Sequence, residues 1–352
     1  MAYTTIDDPT IYFDTLIYTG NGSNPRTLTG LNFQPDWVWL KNRTDNNGHT
    51  LADSVRGSNK TLSSDGSGSE LTDKADGHLD AFTSDGFTVG IDNDDARVNN
   101  SGSNYVAWNW LAGGSASSNS NGSITSSVSA STAAGFSVVG WTGNGSSGAT
   151  IGHGLGVKPR MIISKRRDST SQWTVYEAIN GATKYMTLNQ TDATSSATSR
   201  WNDTEPTASV FSVGNSSEVN GSSGTYIAYC FTDIKGYLKV GSYTGNGNAD
   251  GAFVYTGFRP AFVITKRTSD ISHWLLKDNK RDAFNVSDTL LVANDDDSES
   301  DWGTGRKIDF LSNGFKARST STGLNVSGSS YIYMAFAESP FVNSNGVPTN
   351  AR

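Results

Sequence analysis

The chain has 352 residues, a formal net charge of −7 and a single cysteine, Cys230. The acidic balance excludes a non-specific nucleic-acid binder, which would carry a basic surface, and one cysteine excludes an intramolecular disulfide framework. No run of about 18 apolar residues occurs, so no membrane insertion is expected, and the N-terminus, without a basic head or an apolar core, reads as no signal peptide.

Taken in order, residues 1–12 form a lead-in that ends in Ile11-Tyr12-Phe13. Its aromatics predict a docking segment that sits on the first module or on a neighbouring chain. The next stretch is Tyr18-Thr-Gly-Asn-Gly22, followed by Pro35-Asp-Trp-Val-Trp-Leu-Lys41. It returns as Trp141-Thr-Gly-Asn-Gly145 with Pro159 to Lys165, and as Tyr243-Thr-Gly-Asn-Gly247 with Pro260 to Lys266. From aromatic to proline the spacing is 17, 18 and 17 residues, and from proline to lysine it is six each time. A period of this kind fixes an architecture of three modules: residues 13–112, 135–234 and 235–341.

Thr-Gly-Asn-Gly is turn chemistry, because glycine and asparagine accept positive φ. Proline lacks an N–H and belongs at the start of a strand. Trp37/Trp39, Met161/Ile163 and Phe262/Ile264 then alternate with Val38, Ile162 and Val263, a pattern for a central strand covered on both faces. The lysine that ends each run is expected at the surface, since lysine is rarely buried. Later in module one, Leu79 to Phe82 and Gly86 to Gly90 read as two strands around an Asp-Gly turn. Tyr105-Val-Ala-Trp-Asn-Trp110 closes the module and repeats as Tyr226 to Phe231 and Tyr331 to Phe336. Its bulky face (Val106, Trp108, Trp110 and their equivalents) is predicted to face a sandwich core, with the tyrosine as a structural corner.

Residues 113–134 are rich in Ser, Gly and Asn and read as a flexible linker; Ile124 and Val128 favour an extended arm as the alternative. Modules two and three, with almost nothing between them, are expected to form a rigid pair. Residues 342–352 are a polar tail. The segments 169–180 and 271–284 have no convincing helical period. The whole predicts an all-β protein of three tandem antiparallel β-sandwich modules of jelly-roll or lectin-like type.

No enzyme chemistry is visible. Of the histidines, His49, His78, His153 and His273, only His49 has an acid and a hydroxyl nearby, Asp53 and Ser54, and the other modules do not keep that trio. No histidine–cysteine set has metal-ligand spacing, so no metal, cofactor or catalytic residue is expected. The acidic loops Asp92 to Asp95 and Asp295 to Asp301 read as solvated loops rather than calcium sites. Cys230 lies in an apolar strand and is expected to be an inert buried thiol. The Asn-x-Ser/Thr sequences at Asn21, Asn144, Asn189, Asn202, Asn220 and Asn325 follow from composition. Trp173, Trp201, Trp274 and Trp302 sit in polar, loop-like contexts, where exposed rings beside Asn and Asp would suit a carbohydrate; packing under long loops is the structural alternative. The expected structural core of the repeat is Tyr18, Pro35, Trp37, Trp39 and Tyr105, then Trp141, Pro159 and Tyr226, then Tyr243, Pro260 and Tyr331.

Several of these segments together carry a family resemblance. The opening Thr4-Thr-Ile-Asp-Asp-Pro9, the Tyr-Thr-Gly-Asn-Gly turn, the Gln34-Pro-Asp-Trp-Val-Trp-Leu-Lys-Asn-Arg43 strand and Asp53-Ser-Val-Arg-Gly57 are one part. The Tyr105-Val-Ala-Trp108 strand and Ala335-Phe-Ala-Glu-Ser-Pro-Phe341 are the other. The set resembles a repeat family of virion structural proteins of tailed phages, particularly marine and cyanophage-like ones. The resemblance implies a non-enzymatic protein on the exterior of the particle: a tail-fibre-like appendage or a capsid decoration. It implies partners among other virion proteins, a homo-oligomer with a trimer as one form, and a role in assembly or host attachment. The alternative function is a carbohydrate-binding adhesin for host surface glycans.

Overall fold

A computed structural model describes residues 3–72, 78–90, 96–300 and 305–350. Strands hold 44% of the described residues and helix 2%, so the class is all-β. Only two short helical turns occur among the described residues, Pro9–Ile11 and Thr198–Trp201. The segments 169–180 and 271–284 contain the strands Trp173–Glu177 and Leu275–Asp278.

Each repeat builds its main sheet in the same order: opening strand, closing strand, proline strand, then two more. In repeat one these are Phe13–Thr19, Asn104–Trp110, Trp37–Asn42, Thr50–Asp53 and Gly57–Leu62. Repeat two uses Phe136–Thr142, Thr225–Phe231, Met161–Arg166, Trp173–Glu177 and Lys184–Thr187. Repeat three uses Leu238–Thr244, Ser330–Pro340, Phe258–Arg267, Leu275–Asp278 and Leu291–Val292. The closing strand lies between the opening and proline strands, antiparallel to both. The proline strand of repeat one is buried throughout; for Trp37 to Leu40 this is what the continuous apolar run predicted. Pro35 and Pro159 precede their strands, whereas Pro260 lies inside one at a shift in register, where a missing N–H costs no ladder bond.

A smaller outer sheet accompanies each main sheet: Arg26–Thr29, Gly86–Gly90 and His78–Thr83; then Ala149–Gly152 and Val210–Val213; then Phe253–Tyr255, Gly314–Ala317 and Ile308–Leu311. The hairpin around Asp85 forms where the sequence placed it.

In repeats one and two the two faces of the closing strand serve different cores, whereas in repeat three both faces join one cluster. The strand's small face (Tyr105, Ala107; Tyr226, Ala228, Cys230) packs toward the outer sheet of the same repeat, with Phe87 and Val89 or Phe211 and Val213. Its bulky face does not fill a core private to each module. Val106, Trp108 and Trp110, Ile227, Tyr229 and Phe231, and Ile332, Met334 and Phe336 all enter one cluster shared by the three repeats. Rings cross the boundaries there. Trp37 stacks on Tyr229 at 4.1 Å between centroids, Phe13 on Phe336 at 4.9 Å, and Phe231 meets Phe336 edge-on at 6.0 Å.

Two expectations about connections change accordingly. Residues 113–134 are not a loose linker: they hold the strands Ser117–Asn119 and Ser126–Ser131, which extend the main sheet of repeat two beyond its opening strand. Val128 and Ile124 are buried, which is what orders the segment. The N-terminal segment touches repeat one, where Asn32 Nδ2 donates to Thr10 Oγ1 at 2.9 Å, and reaches repeat three as well. Ile6 enters the shared core, Thr4 Oγ1 donates to the Lys235 carbonyl at 2.9 Å, and Tyr12 packs on Tyr237. The polar tail pairs with it through Ser344, whose N–H donates to Asp7 at 2.7 Å.

Candidate functional site

The repeated polar residues build two kinds of local device. The first is a corner. Tyr105, Tyr226 and Tyr331 each donate from the phenol to a carbonyl nine residues upstream, that of Ala96, Ser217 or Thr322, at 2.7, 2.7 and 3.0 Å. Each phenol also accepts the N–H of Asn100, Gly221 or Val326. The ring stacks on the aromatic that opens Thr-Gly-Asn-Gly: Tyr18, Trp141 or Tyr243. A buried asparagine, Asn99, Asn220 or Asn325, then holds the turn by accepting the N–H of Asn21, Asn144 or Asn246. Asn220 and Asn325, two of the Asn-x-Ser/Thr sites, are therefore turn anchors enclosed in protein.

The second device is the seam between repeats. Lys41, Lys165 and Lys266 are fully buried, contrary to the surface position expected of them. Each ammonium donates to a carbonyl of another repeat: Lys165 to Ser67, Lys266 to Thr191 and Lys41 to Asp296, at 3.2, 3.0 and 3.1 Å. A second set lies four residues earlier on the acceptor side. Trp173 Nε1 donates to Ser63 O, Trp274 Nε1 to Thr187 O, and His49 Nε2 faces Val292 O, at 2.8, 3.0 and 3.0 Å. Repeat two thus bonds to one, three to two and one to three. The cycle closes.

Burial lowers the three lysines to about 8, against partial opposition from neighbouring carboxylates. His49 accepts from Trp39 Nε1 on Nδ1 at 2.8 Å, so its proton is on Nε2, directed at Val292 O. Burial holds it down to about 4, and it is neutral at ordinary pH. The trio of His49, Asp53 and Ser54 is not assembled, because both Asp53 oxygens are engaged elsewhere.

That engagement is a charged relay. Asp53 accepts the Arg56 N–H and, at 2.5 Å, its Nε; it also accepts the Tyr229 phenol of repeat two at 2.9 Å. Arg56 reaches Glu70, and Glu70 holds Arg167 of repeat two at 2.8 Å. The seam between repeats three and one has the same parts. Asp278 pairs with Arg281 and accepts Trp108 Nε1 at 3.0 Å; Arg281 reaches Glu299, which holds Arg43. The sequence signal for it is the Asp-x-x-Arg spacing shared by Asp53 to Arg56 and Asp278 to Arg281.

Three of the four candidate carbohydrate rings lie inside the protein. Trp173, Trp201 and Trp274 are buried, two of them as seam donors, and Trp201 packs on Tyr176 and Phe211. Trp302 lies outside the described residues, as do Asp92 to Asp95 and Asp301. The carboxylates of Asp295, Asp296 and Asp297 lie within 4.8 Å of one another, but the Lys41 ammonium already sits at the Asp296 carbonyl. Cys230 is enclosed, and burial pushes its thiol well up.

The fold and the seams define an all-β protein of three cyclically bonded repeats. The chain belongs to the family described as Domain of unknown function (DUF7483), which matches residues 8–340 and so runs through all three repeats. No curated protein and no solved structure matches it.

Proposed function

We propose that this chain is a non-enzymatic structural protein on the exterior of a tailed-phage particle, an appendage or a head decoration, built of three two-layered β-sandwich units of lectin-like type. The observation that supports this reading is that the repeated polar residues are consumed by closure of the molecule. The lysines, the Asp–Arg–Glu relays and the seam tryptophans all bond from repeat to repeat, which favours a rigid building block over a reaction site. The resemblance carried by Gln34 to Arg43, Asp53 to Gly57 and Ala335 to Phe341 supports the virion setting. Copies of the chain, in a trimer or another homo-oligomer, would associate with each other and with other virion proteins through surfaces outside the shared core.

Electron microscopy of virions labelled with an antibody against the chain tests the proposal. Label over the head or confined to the tail agrees with it and chooses between decoration and appendage. Virions that contain the other structural proteins and carry no label overturn it.

A further inference from the structure

The threefold repeat supplies its own comparison: a residue that departs from its two counterparts, and is more exposed and more apolar for doing so, is not explained by the fold. The outer strand of repeat three contains such a departure. Cross-strand register aligns Phe253 and Tyr255 with Thr27 and Thr29 in repeat one and with Thr150 and Gly152 in repeat two. Phe253 and Tyr255 are 47% and 54% exposed. Exposed rings replace small residues, so burial has not selected them.

Tyr255 borders a cleft of about 360 Å³ between the N-terminal segment and repeat three, with Tyr3, Asp233, Lys235, Lys239 and Gly257 around it. The volume is at the small end of ligand pockets, which run from roughly 300 to 1,000 Å³. Hydrogen bonds fix its polar groups. The Tyr3 phenol donates its one proton to Gly257 O at 2.7 Å, so in its 3.2 Å contact with Tyr255 it accepts, and Tyr255 donates. The Tyr255 oxygen keeps its lone pairs for a ligand hydroxyl. Lys239 and Arg160 both lean on Asp233, at 3.3 and 3.7 Å. Lys235 is different: it is exposed, its ammonium sits 4.5 Å from the centre of the Tyr3 ring, and no carboxylate among the described residues pairs with it. Lys235 is also a departure, since the opening strands place Thr10 and Ala133 at its position. The cleft therefore combines an open ring face, a phenol acceptor, a carboxylate and one surplus cation.

We propose that this cleft binds the end of an acidic saccharide, with a uronic acid as its chemical class. The C–H face of the pyranose lies on Tyr255, its hydroxyls bond to the Tyr255 oxygen and Asp233, and its carboxylate meets Lys235. A neutral sugar leaves Lys235 without a partner, and a carboxylate lacking hydroxyls leaves the phenol and Asp233 unmet. This site stands on the cleft alone and is independent of the virion reading.

Titration calorimetry of the full chain with D-glucuronate, D-glucose and benzoate, at low salt and in 0.5 M NaCl, tests it. Saturable binding of glucuronate that weakens with salt is expected, with glucose weaker by about tenfold, the size of one charge-assisted hydrogen bond. Lys235→Ala and Tyr255→Ala should each weaken glucuronate by about tenfold or more, and Lys235→Arg should retain it. Both side chains are largely exposed, so an unchanged thermal transition verifies folding of the variants. Absence of saturable glucuronate binding, glucose or benzoate bound as tightly as glucuronate, or either alanine variant binding like the parent overturns the proposal.

Discussion

The seam between repeats one and two and the seam between two and three have the same backbone bonds, but only the first carries a charged relay. At the first, Glu70 N–H donates to Arg167 O and Ser171 N–H to Ser67 O; at the second, Thr194 N–H donates to Thr268 O and Ser272 N–H to Thr191 O. The tryptophan and lysine bonds are kept as well. What differs is the relay. Asn180 stands where Arg56 and Arg281 stand, Thr194 where Glu70 and Glu299 stand, and Thr268 where Arg43 and Arg167 stand. Both arginines and the second acid of the relay are gone together, since an arginine or glutamate left without its partner there would be a buried charge without compensation. The acid that survives, Glu177, caps the N–H groups of Ile179 and Asn180, and burial raises its pKa above the ordinary value. Backbone bonds, tryptophan and lysine thus set the geometry of a seam, and the relay is an added layer.

The largest expected effect comes from cutting the relay where it exists. Asp53→Ala leaves the enclosed Arg56 guanidinium short of its main partner and should cost about 3–5 kcal/mol of stability. Glu177→Ala at the uncharged seam should cost about 1 kcal/mol, the value of a lost cap. Urea denaturation of the two variants measures both, and equal losses would break the comparison.

Lys165→Met strands the Ser67 and Arg166 carbonyls and should cost about 1–3 kcal/mol. It should also change the pH profile. The seam lysines titrate at about 8 when folded, against 10.5 for an ordinary lysine. Between those values the unfolded chain binds more protons, so stability rises with pH from about 8 toward 10. Buried tyrosines such as Tyr229 and Tyr243, raised well above their ordinary value of 10, reverse the slope beyond it. Denaturation midpoints between pH 7 and pH 10 should show this rise, and show less of it in Lys165→Met.

Rebuilding the relay sharpens the comparison from the other side. Asn180→Arg and Thr194→Glu should each destabilise alone, and the pair should recover about 1 kcal/mol or more of coupling in a double-mutant cycle. Additive losses would show that the uncharged seam lacks the geometry for an ion pair. Hydrogen exchange supplies a gentler probe: the amides of Thr194 and Ser272 should exchange faster than those of Glu70 and Ser171. The smallest effect belongs to an exposed pair outside any seam. Lys158, 2.6 Å from Glu205, should lose no more than about 0.5 kcal/mol on mutation to alanine.

The strands were legible because their apolar runs are local. Trp37 to Asn42 and the three closing strands depend on residues within a few positions of each other, and the tyrosine corner on a carbonyl nine residues upstream. The seams were not, because their acceptors are backbone carbonyls of another repeat. Nothing near Lys165 in the sequence points to Ser67 O, and a polar neighbourhood made Trp173 and Trp274 resemble surface rings. The 113–134 segment differs for a related reason: Ser and Gly dominate its composition, while a few residues, Ile124, Val128 and Ala134 among them, are buried. Bulky faces were recognised, but three of them turn inward together, which no single repeat can reveal.

Differential scanning calorimetry of the full chain tests the cyclic closure most directly. One transition, with calorimetric and van't Hoff enthalpies equal and moved as a whole by Asp53→Ala, is the expected result. Two or three separable transitions, with Asp53→Ala moving only one of them, would contradict it.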